Sequence, residues 1–130
     1  MEIKKKILLV EDDQSLAEVY RSRLEMEGFE VIVVHDGEIA IGEIINHRPD
    51  LVILDAMLPK ISGFDLLDIM RTTPEIMNVR IIMLTALSQS NDRERAESLG
   101  VDAYLVKSQI TIGDVVNSVR KHLDIPSEAQ

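Results

Sequence analysis

Residues 51–63, which read LVILDAMLPKISG, decide the fold class of this chain. Four consecutive aliphatic residues, Leu51–Leu54, precede a single carboxylate, Asp55, and the turn-forming Pro59 and Gly63 follow it. A short apolar run without polar alternation is typical of a strand that is covered on both faces of a parallel sheet. The residue directly after such a strand lies at the carboxyl edge of the sheet, where doubly wound proteins form their sites.

The same kind of apolar run occurs four more times, and segments with helical spacing separate the runs. The other runs are Ile7–Val10, Val31–Val34, Ile81–Leu84 and Tyr104–Val106. Between them apolar residues recur at intervals of three and four, which places an apolar stripe on one helix face. This βα alternation, five times over with short connections, predicts an α/β fold with a mainly parallel sheet, helices on both faces and right-handed crossovers.

Helix boundaries carry their own signals. Gly28 and Gly100 follow the first and fourth helical patterns, in the position of a left-handed helix cap. Asp13 or Ser15 is predicted to cap the first helix at its N-terminus, and Ser90 the fourth.

The fourth helical segment, Ser90–Leu99, carries far less apolar surface than the others. Two interpretations stay open. It is either an edge helix with a narrow buried stripe or a solvent-facing element that moves or docks a partner.

Composition narrows the function classes. The chain has 130 residues, with 14 Lys and Arg against 23 Asp and Glu, for a net charge of −9. This length fits one domain, expected to span residues 1–124 with a flexible tail at 125–130. The acidic excess argues against direct nucleic-acid binding. The absence of cysteine excludes a disulfide framework and a cysteine nucleophile. No apolar stretch approaches the length of a signal peptide core or a membrane span, so we expect a cytoplasmic protein without membrane contact.

Candidate site residues follow the first, third, fourth and fifth runs, and a parallel sheet brings them to one edge. They are Glu11, Asp12 and Asp13 after the first run, Asp55 after the third, Thr85 and Ala86 after the fourth, and Lys107 after the fifth. Each has an ordinary alternative as a cap, a turn residue or a solvated side chain. Together, the adjacent carboxylates would repel one another unless a cation lay between them, and oxygen ligands of this kind suit Mg²⁺. Carboxylates, Mg²⁺, a hydroxyl and a lysine form a phosphoryl-transfer constellation in which a carboxylate is the nucleophile.

Four motifs in order resemble one known family. They are ILLVEDD, LVILDAMLPKISG, IIMLTA and DAYLVKS, and the likeness extends from Lys6 to Leu123. The chain resembles the receiver domains of bacterial two-component response regulators, similar to the chemotaxis regulator fold. This resemblance implies a flavodoxin-like doubly wound (βα)5 fold with five parallel strands in the order 2-1-3-4-5.

The resemblance also implies a set of roles around the metal. Asp55 resembles the phosphoacceptor in the frame with Pro59 and Gly63. Asp12 resembles the direct Mg²⁺ ligand, and Glu11 the acid that holds the ion through water. The third metal contact of the family falls on the backbone carbonyl of Met57.

On the other side of the acceptor, Thr85 resembles the switch hydroxyl that follows the phosphoryl group, and Ala86 the small residue beside it. Lys107 resembles the lysine that pairs with the phosphate, and Tyr104 the aromatic residue whose ring changes rotamer on activation. Thr85, drawn inward, would vacate space for that ring. The change would then reach the face formed by the fourth helix, fifth strand and fifth helix.

Two departures from the family pattern affect the expected peptide bond after Lys107 and the expected lifetime of the phosphorylated state. The residue after Lys107 is Ser108, where the family usually has proline after a cis peptide bond. A cis bond to a non-proline residue costs about 2.5–4 kcal/mol, so this peptide is either trans or a strained cis bond. Met57 and Leu87 stand where family side chains flank the path of the hydrolytic water. Because neither can orient a water, we predict a long-lived phosphorylated state.

The implied partners are a sensor histidine kinase or phosphotransfer protein as donor and a downstream protein target or fused effector as recipient. The domain would be a monomer or a phosphorylation-dependent dimer. It would not be an enzyme in its own right, although it would assist its own phosphoryl transfer and slow autodephosphorylation.

Three alternatives remain. A doubly wound aspartyl phosphatase would carry its nucleophile after the first strand, whereas the candidate here follows the third. A flavodoxin-like cofactor binder needs a phosphate loop rich in hydroxyls and amides, and Glu11–Asp13 would repel phosphate. A pseudo-receiver would act only as a protein-docking module, independent of phosphorylation.

Overall fold

A computed structural model describes residues 4–126, which form five strands, five α-helices and one 3₁₀ turn. The strands are β1 (Lys6–Val10), β2 (Glu30–Val34), β3 (Leu51–Leu54), β4 (Arg80–Thr85) and β5 (Ala103–Val106). The helices are α1 (Gln14–Met26), α2 (Gly37–His47), α3 (Gly63–Thr72), α4 (Ser90–Ser98) and α5 (Ile112–His122), and the 3₁₀ turn Lys107–Gln109 follows β5.

All five strands are parallel, in the order β2-β1-β3-β4-β5, which confirms the predicted fold class and topology. The register is what positions the site. Val10 pairs with Val34 on one side and with Leu54 on the other, and Thr85 pairs with Val106. The residues that follow β1, β3, β4 and β5 therefore emerge along one edge of the sheet.

The core forms two layers, one on each face of the sheet. Helices α2, α3 and α4 cover one face, with Ile44, Leu66 and Ala96 fully buried there. Helices α1 and α5 cover the other, through residues such as Leu24 and Val119. Burial on both faces explains why the strands read as continuous aliphatic runs.

Most of the predicted helix ends are confirmed. Asp13 caps α1, since its carboxylate accepts a hydrogen bond from the amide of Leu16 at 3.0 Å. Gly28 and Gly100 have φ of 98° and 93°, the left-handed region that glycine adopts at least cost. The prediction for α4 was wrong by one position. Gln89 is the extended residue that precedes this helix, its side chain makes no cap hydrogen bond, and Ser90 is already helical.

Helix α4 shows the narrow buried stripe of the first interpretation, and the docking role of the second stays a prediction. Ala96 is its one buried residue, so its contact with the core is a narrow stripe. Within residues 4–126, no helix combines the length and apolar character needed to cross a membrane. The domain boundary at residue 124 stays a prediction, and most of the predicted tail, residues 127–130, lies outside the described residues.

Candidate functional site

Three carboxylates meet at the carboxyl edge of the sheet. Glu11 and Asp55 are buried and Asp12 is exposed, and one oxygen of each lies within 4.8 Å of the others. Mg²⁺ binds oxygens at about 2.0–2.1 Å, so ligands on opposite sides of the ion are about 4.2 Å apart. The spacing and the all-oxygen donor set therefore fit Mg²⁺ with a small contraction. Asp13 is not part of this group, because its side chain caps α1.

Lys107 joins the two buried acids. Its ammonium lies 2.8 Å from an oxygen of Glu11 and 2.8 Å from an oxygen of Asp55. The side chains of Glu11 and Asp55 are only 3% and 7% exposed, so these ion pairs are poorly screened by solvent. The lysine thus provides the positive charge that two adjacent buried carboxylates need.

Burial and charge shift the pKa values of this cluster. Burial raises the pKa of Glu11 above its ordinary value and Asp55 raises it further, although the hydrogen bond from Lys107 opposes both. Burial alone would lower the pKa of Lys107, but its hydrogen bonds to Asp55 and Glu11 outweigh burial and raise it. The site therefore favours the charged form of Lys107 and disfavours the ionised form of Glu11.

This shift gives a pH-dependent prediction. A raised pKa means that folded Glu11 binds its proton more tightly than unfolded Glu11. Its contribution to stability is then full below the ordinary pKa of glutamate and is lost as the pH rises through the folded pKa. We expect Glu11→Gln, which mimics the neutral acid, to be more stable than the wild type at pH 7 without Mg²⁺.

Urea unfolding at several pH values measures this difference. The difference should shrink as the pH falls through the raised pKa of folded Glu11 and should be nearly gone at the ordinary pKa of glutamate, and added Mg²⁺ should reduce it at pH 7. A Glu11→Gln variant that is no more stable than the wild type at pH 7 would contradict the prediction.

The β3–α3 loop wraps around the acceptor candidate. The amide of Met57 donates to a carboxylate oxygen of Asp55 at 2.9 Å, and the amide of Gly63 donates to the carbonyl of Ala56 at 2.9 Å. The side chain of Met57 points outward and is half exposed. The metal role of its carbonyl stays a prediction.

The peptide bond between Lys107 and Ser108 is trans, as is every peptide bond in residues 4–126. Of the two alternatives for this bond, a trans bond or a strained cis bond, the trans bond is therefore correct.

On the β4 side, Thr85 is fully buried, and its hydroxyl oxygen accepts a hydrogen bond from the amide of Leu87 at 3.3 Å. Accepting this bond leaves the hydroxyl proton able to point toward another acceptor. The hydroxyl of Tyr104 donates to the carbonyl of Leu87 at 2.9 Å, and its ring is buried. Burial raises the pKa of Tyr104, so the phenol stays protonated as a donor. Ala86 is exposed beside them.

Sequence reasoning missed three contacts around this edge. Arg93 of α4 stacks on the ring of Tyr104, with 5.0 Å between guanidinium carbon and ring centroid. His35, which follows β2, has Nδ1 2.9 Å from the carbonyl oxygen of Glu11. Lys60 lies 2.8 Å from Asp36, and this pair joins the β3–α3 loop to the start of α2. No pattern in the sequence signalled these pairings, because each joins polar residues of different elements.

A fold and a site of this kind define a class of proteins, the doubly wound domains with an acidic, lysine-bridged edge. The profile of one family in this class, described as the response regulator receiver domain, matches residues 7–120. That match covers most of the chain, and the chain therefore belongs to this family. The resemblance inferred from the motifs is confirmed.

Individual relatives agree. The chain is 46% identical over 102 residues to the transcriptional regulatory protein CpxR of Escherichia coli K12, covering 78% of this chain and 42% of CpxR. It thus spans about two-fifths of the length of that relative.

Solved structures give the same family at lower identity. The BeF3-activated N-terminal receiver domain of RstA from Klebsiella pneumoniae has a TM-score of 0.86 and 28% identity, covering 92% of this chain and 98% of that chain. The receiver domain of the sensor histidine kinase PA1611 from Pseudomonas aeruginosa PAO1 has a TM-score of 0.85 and 28% identity. It covers 94% of this chain and 99% of its own, and it carries a magnesium ion in its active-site cleft. The chain is accordingly a regulatory domain of two-component signalling.

Proposed function

We propose that this domain is a phosphorylation-activated switch that accepts a phosphoryl group on Asp55 from the phosphohistidine of a sensor kinase or phosphotransfer protein. One observation carries the proposal. Asp55 is buried, is paired at 2.8 Å with Lys107 and lies within 4.8 Å of two further acids. An isolated carboxylate in such surroundings would be costly to bury, so the arrangement supports a dedicated site rather than a turn residue.

In the proposed transfer, a carboxylate oxygen of Asp55 attacks phosphorus. A bond from oxygen to phosphorus forms, the bond from phosphorus to the imidazole nitrogen of the donor breaks, and the imidazole keeps the electron pair and takes up a proton. Lys107 would pair with the negative phosphoryl oxygens, and Glu11 and Asp12, with Asp55 and the carbonyl of Met57, would hold Mg²⁺. When bound, the ion would neutralise charge and orient the phosphoryl group.

The product would place about two further negative charges on the edge. Thr85 has its hydroxyl oxygen occupied as an acceptor, so its proton suits a hydrogen bond to a phosphoryl oxygen. Such a bond would fix the loop that carries Ala86 and Leu87. The change would pass through Tyr104 to the face of α4, β5 and α5, and this face would regulate a downstream protein or a fused effector, alone or as a phosphorylation-dependent dimer.

The experiment is incubation with acetyl phosphate and Mg²⁺, followed by intact-mass measurement. We expect one phosphoryl adduct on the wild type and none on Asp55→Asn. Asp68→Asn, on the exposed side of α3, is the matched control and should carry the adduct. Absence of an adduct on the wild type, together with no binding of beryllofluoride, would refute the proposal and leave the docking-only alternative.

The lifetime of the phosphorylated state is a separate prediction. Hydrolysis needs a water held in line with the phosphorus, and neither Met57 nor Leu87 has a side chain that can donate or accept a strong hydrogen bond. We expect a half-life of minutes or longer at neutral pH with Mg²⁺, and severalfold shortening in Met57→Asn. The decay of the intact-mass adduct after removal of acetyl phosphate measures it. A wild-type half-life of seconds would contradict the prediction.

A further inference from the structure

Tyr104 is held by α4 as well as by the loop after β4. The guanidinium of Arg93 covers its ring at 5.0 Å from the centroid, and Nη1 of the same residue donates to the backbone carbonyl of Tyr104 at 3.2 Å. A cation over an aromatic face is attracted by the ring quadrupole. One side chain of α4 therefore contacts both the ring and the backbone of this residue.

The hydroxyl end of the Tyr104 ring is connected to Thr85 by two hydrogen bonds through Leu87. The hydroxyl of Tyr104 donates to the carbonyl of Leu87 at 2.9 Å, and the amide of Leu87 donates to the hydroxyl oxygen of Thr85 at 3.3 Å. The contacts from Arg93 to Thr85 are thus continuous and consist of specific hydrogen bonds and one stacked pair. The side chain of Tyr104 is buried where it makes these contacts.

Helix α4 also supplies an internal comparison. Arg95 stacks on Phe64 of α3 at 4.3 Å, more closely than Arg93 stacks on Tyr104 at 5.0 Å, but its partner lies outside these contacts. Both arginines are exposed and two residues apart. Substituting each arginine in turn therefore separates the general effect of losing an arginine from α4 from the specific effect of losing the contact with Tyr104.

We propose that Arg93 is a positioning residue that holds Tyr104 buried and thereby keeps the Thr85–Leu87 loop in one arrangement. The effect of Arg93 on binding at the site rests on the proposed switch function. If the buried arrangement is the one that the phosphorylated site favours, Arg93 raises its population in the resting protein. A ligand of that arrangement then binds more tightly, because less of its binding free energy is used to shift the equilibrium.

The first measurement needs no phosphorylation. Solvent exposure of the two tyrosine rings is measured by NMR with a soluble paramagnetic agent, and Tyr20→Phe assigns the signals. We expect Arg93→Gln to increase the exposure of Tyr104 and to leave Tyr20 unchanged, whereas Arg95→Gln leaves both unchanged. Arg93→Lys keeps the cation but loses the planar fork and should be intermediate. An unchanged Tyr104 in Arg93→Gln would overturn the inference.

The second measurement is beryllofluoride binding with Mg²⁺. We expect Arg93→Gln to bind about three- to tenfold more weakly than the wild type, from the loss of one stacked cation and one hydrogen bond. Arg95→Gln should bind as the wild type does. Equal affinity of Arg93→Gln and the wild type would overturn the coupling to the site. No binding by the wild type would instead count against the proposed function, and the ring-exposure result would still decide the role of Arg93.

Discussion

Replacing Gly63 by alanine is expected to lower the free energy of unfolding by about 3 kcal/mol or more. An added Cβ would overlap the carbonyl oxygen of Asp55 and lie 2.6 Å from the Cα of Ala56. Both neighbours are backbone atoms of the loop that follows β3, so they cannot move aside as a side chain would. The first turn of α3 packs directly on the backbone of Asp55 and Ala56 because position 63 has no side chain.

Gly42→Ala is the matched control for this substitution. Gly42 lies inside α2, and an added Cβ would meet nothing within 4 Å. Alanine there should raise stability by up to about 1 kcal/mol, because glycine is the weaker helix former. Urea unfolding of both variants measures the difference. Equal stability of Gly63→Ala and the wild type would show that the loop can yield and that the close approach is not required.

Lys107→Met is expected to destabilise the protein by about 2 kcal/mol at pH 7 without Mg²⁺, less than for a fully enclosed ion pair because the lysine is 19% exposed. The substitution leaves the buried carboxylates of Glu11 and Asp55 without their shared cation. The loss should become smaller as the pH falls, since protonated carboxyls do not repel one another. Added Mg²⁺ should restore part of the stability, because a divalent cation replaces the missing charge.

Lys60→Met is the control for the loss of a lysine ion pair. Lys60 pairs with Asp36 at 2.8 Å but is 55% exposed, and ion pairs exposed to solvent contribute little to stability. Its loss should not respond to Mg²⁺. A Lys107→Met variant that is as stable as Lys60→Met, or that gains no more from Mg²⁺ than the wild type does, would contradict the assigned role of the bridge.

The sequence was sufficient for the elements and their order. An aliphatic run such as Leu51–Leu54 can be stable only where both faces are covered, and this requirement implies a parallel sheet with helices on both sides. The same topology implies that Glu11, Asp55, Thr85 and Lys107 emerge at one edge. The fold class inferred in this way and the family inferred from the four motifs are both confirmed, whereas the chemical roles of these residues stay predictions.

The tertiary structure decided which polar groups pair. Lys107 bridges Glu11 and Asp55, which lie 96 and 52 positions before it in the chain. Arg93 of α4 contacts the ring of Tyr104 on β5. Hydrophobic periodicity reports which face of one element is buried, but it carries no information on which charges of two elements meet. Those pairings depend on the distances set when helices pack on the sheet, and for this reason the bridge at the site and the arginine over Tyr104 became visible only in the folded chain.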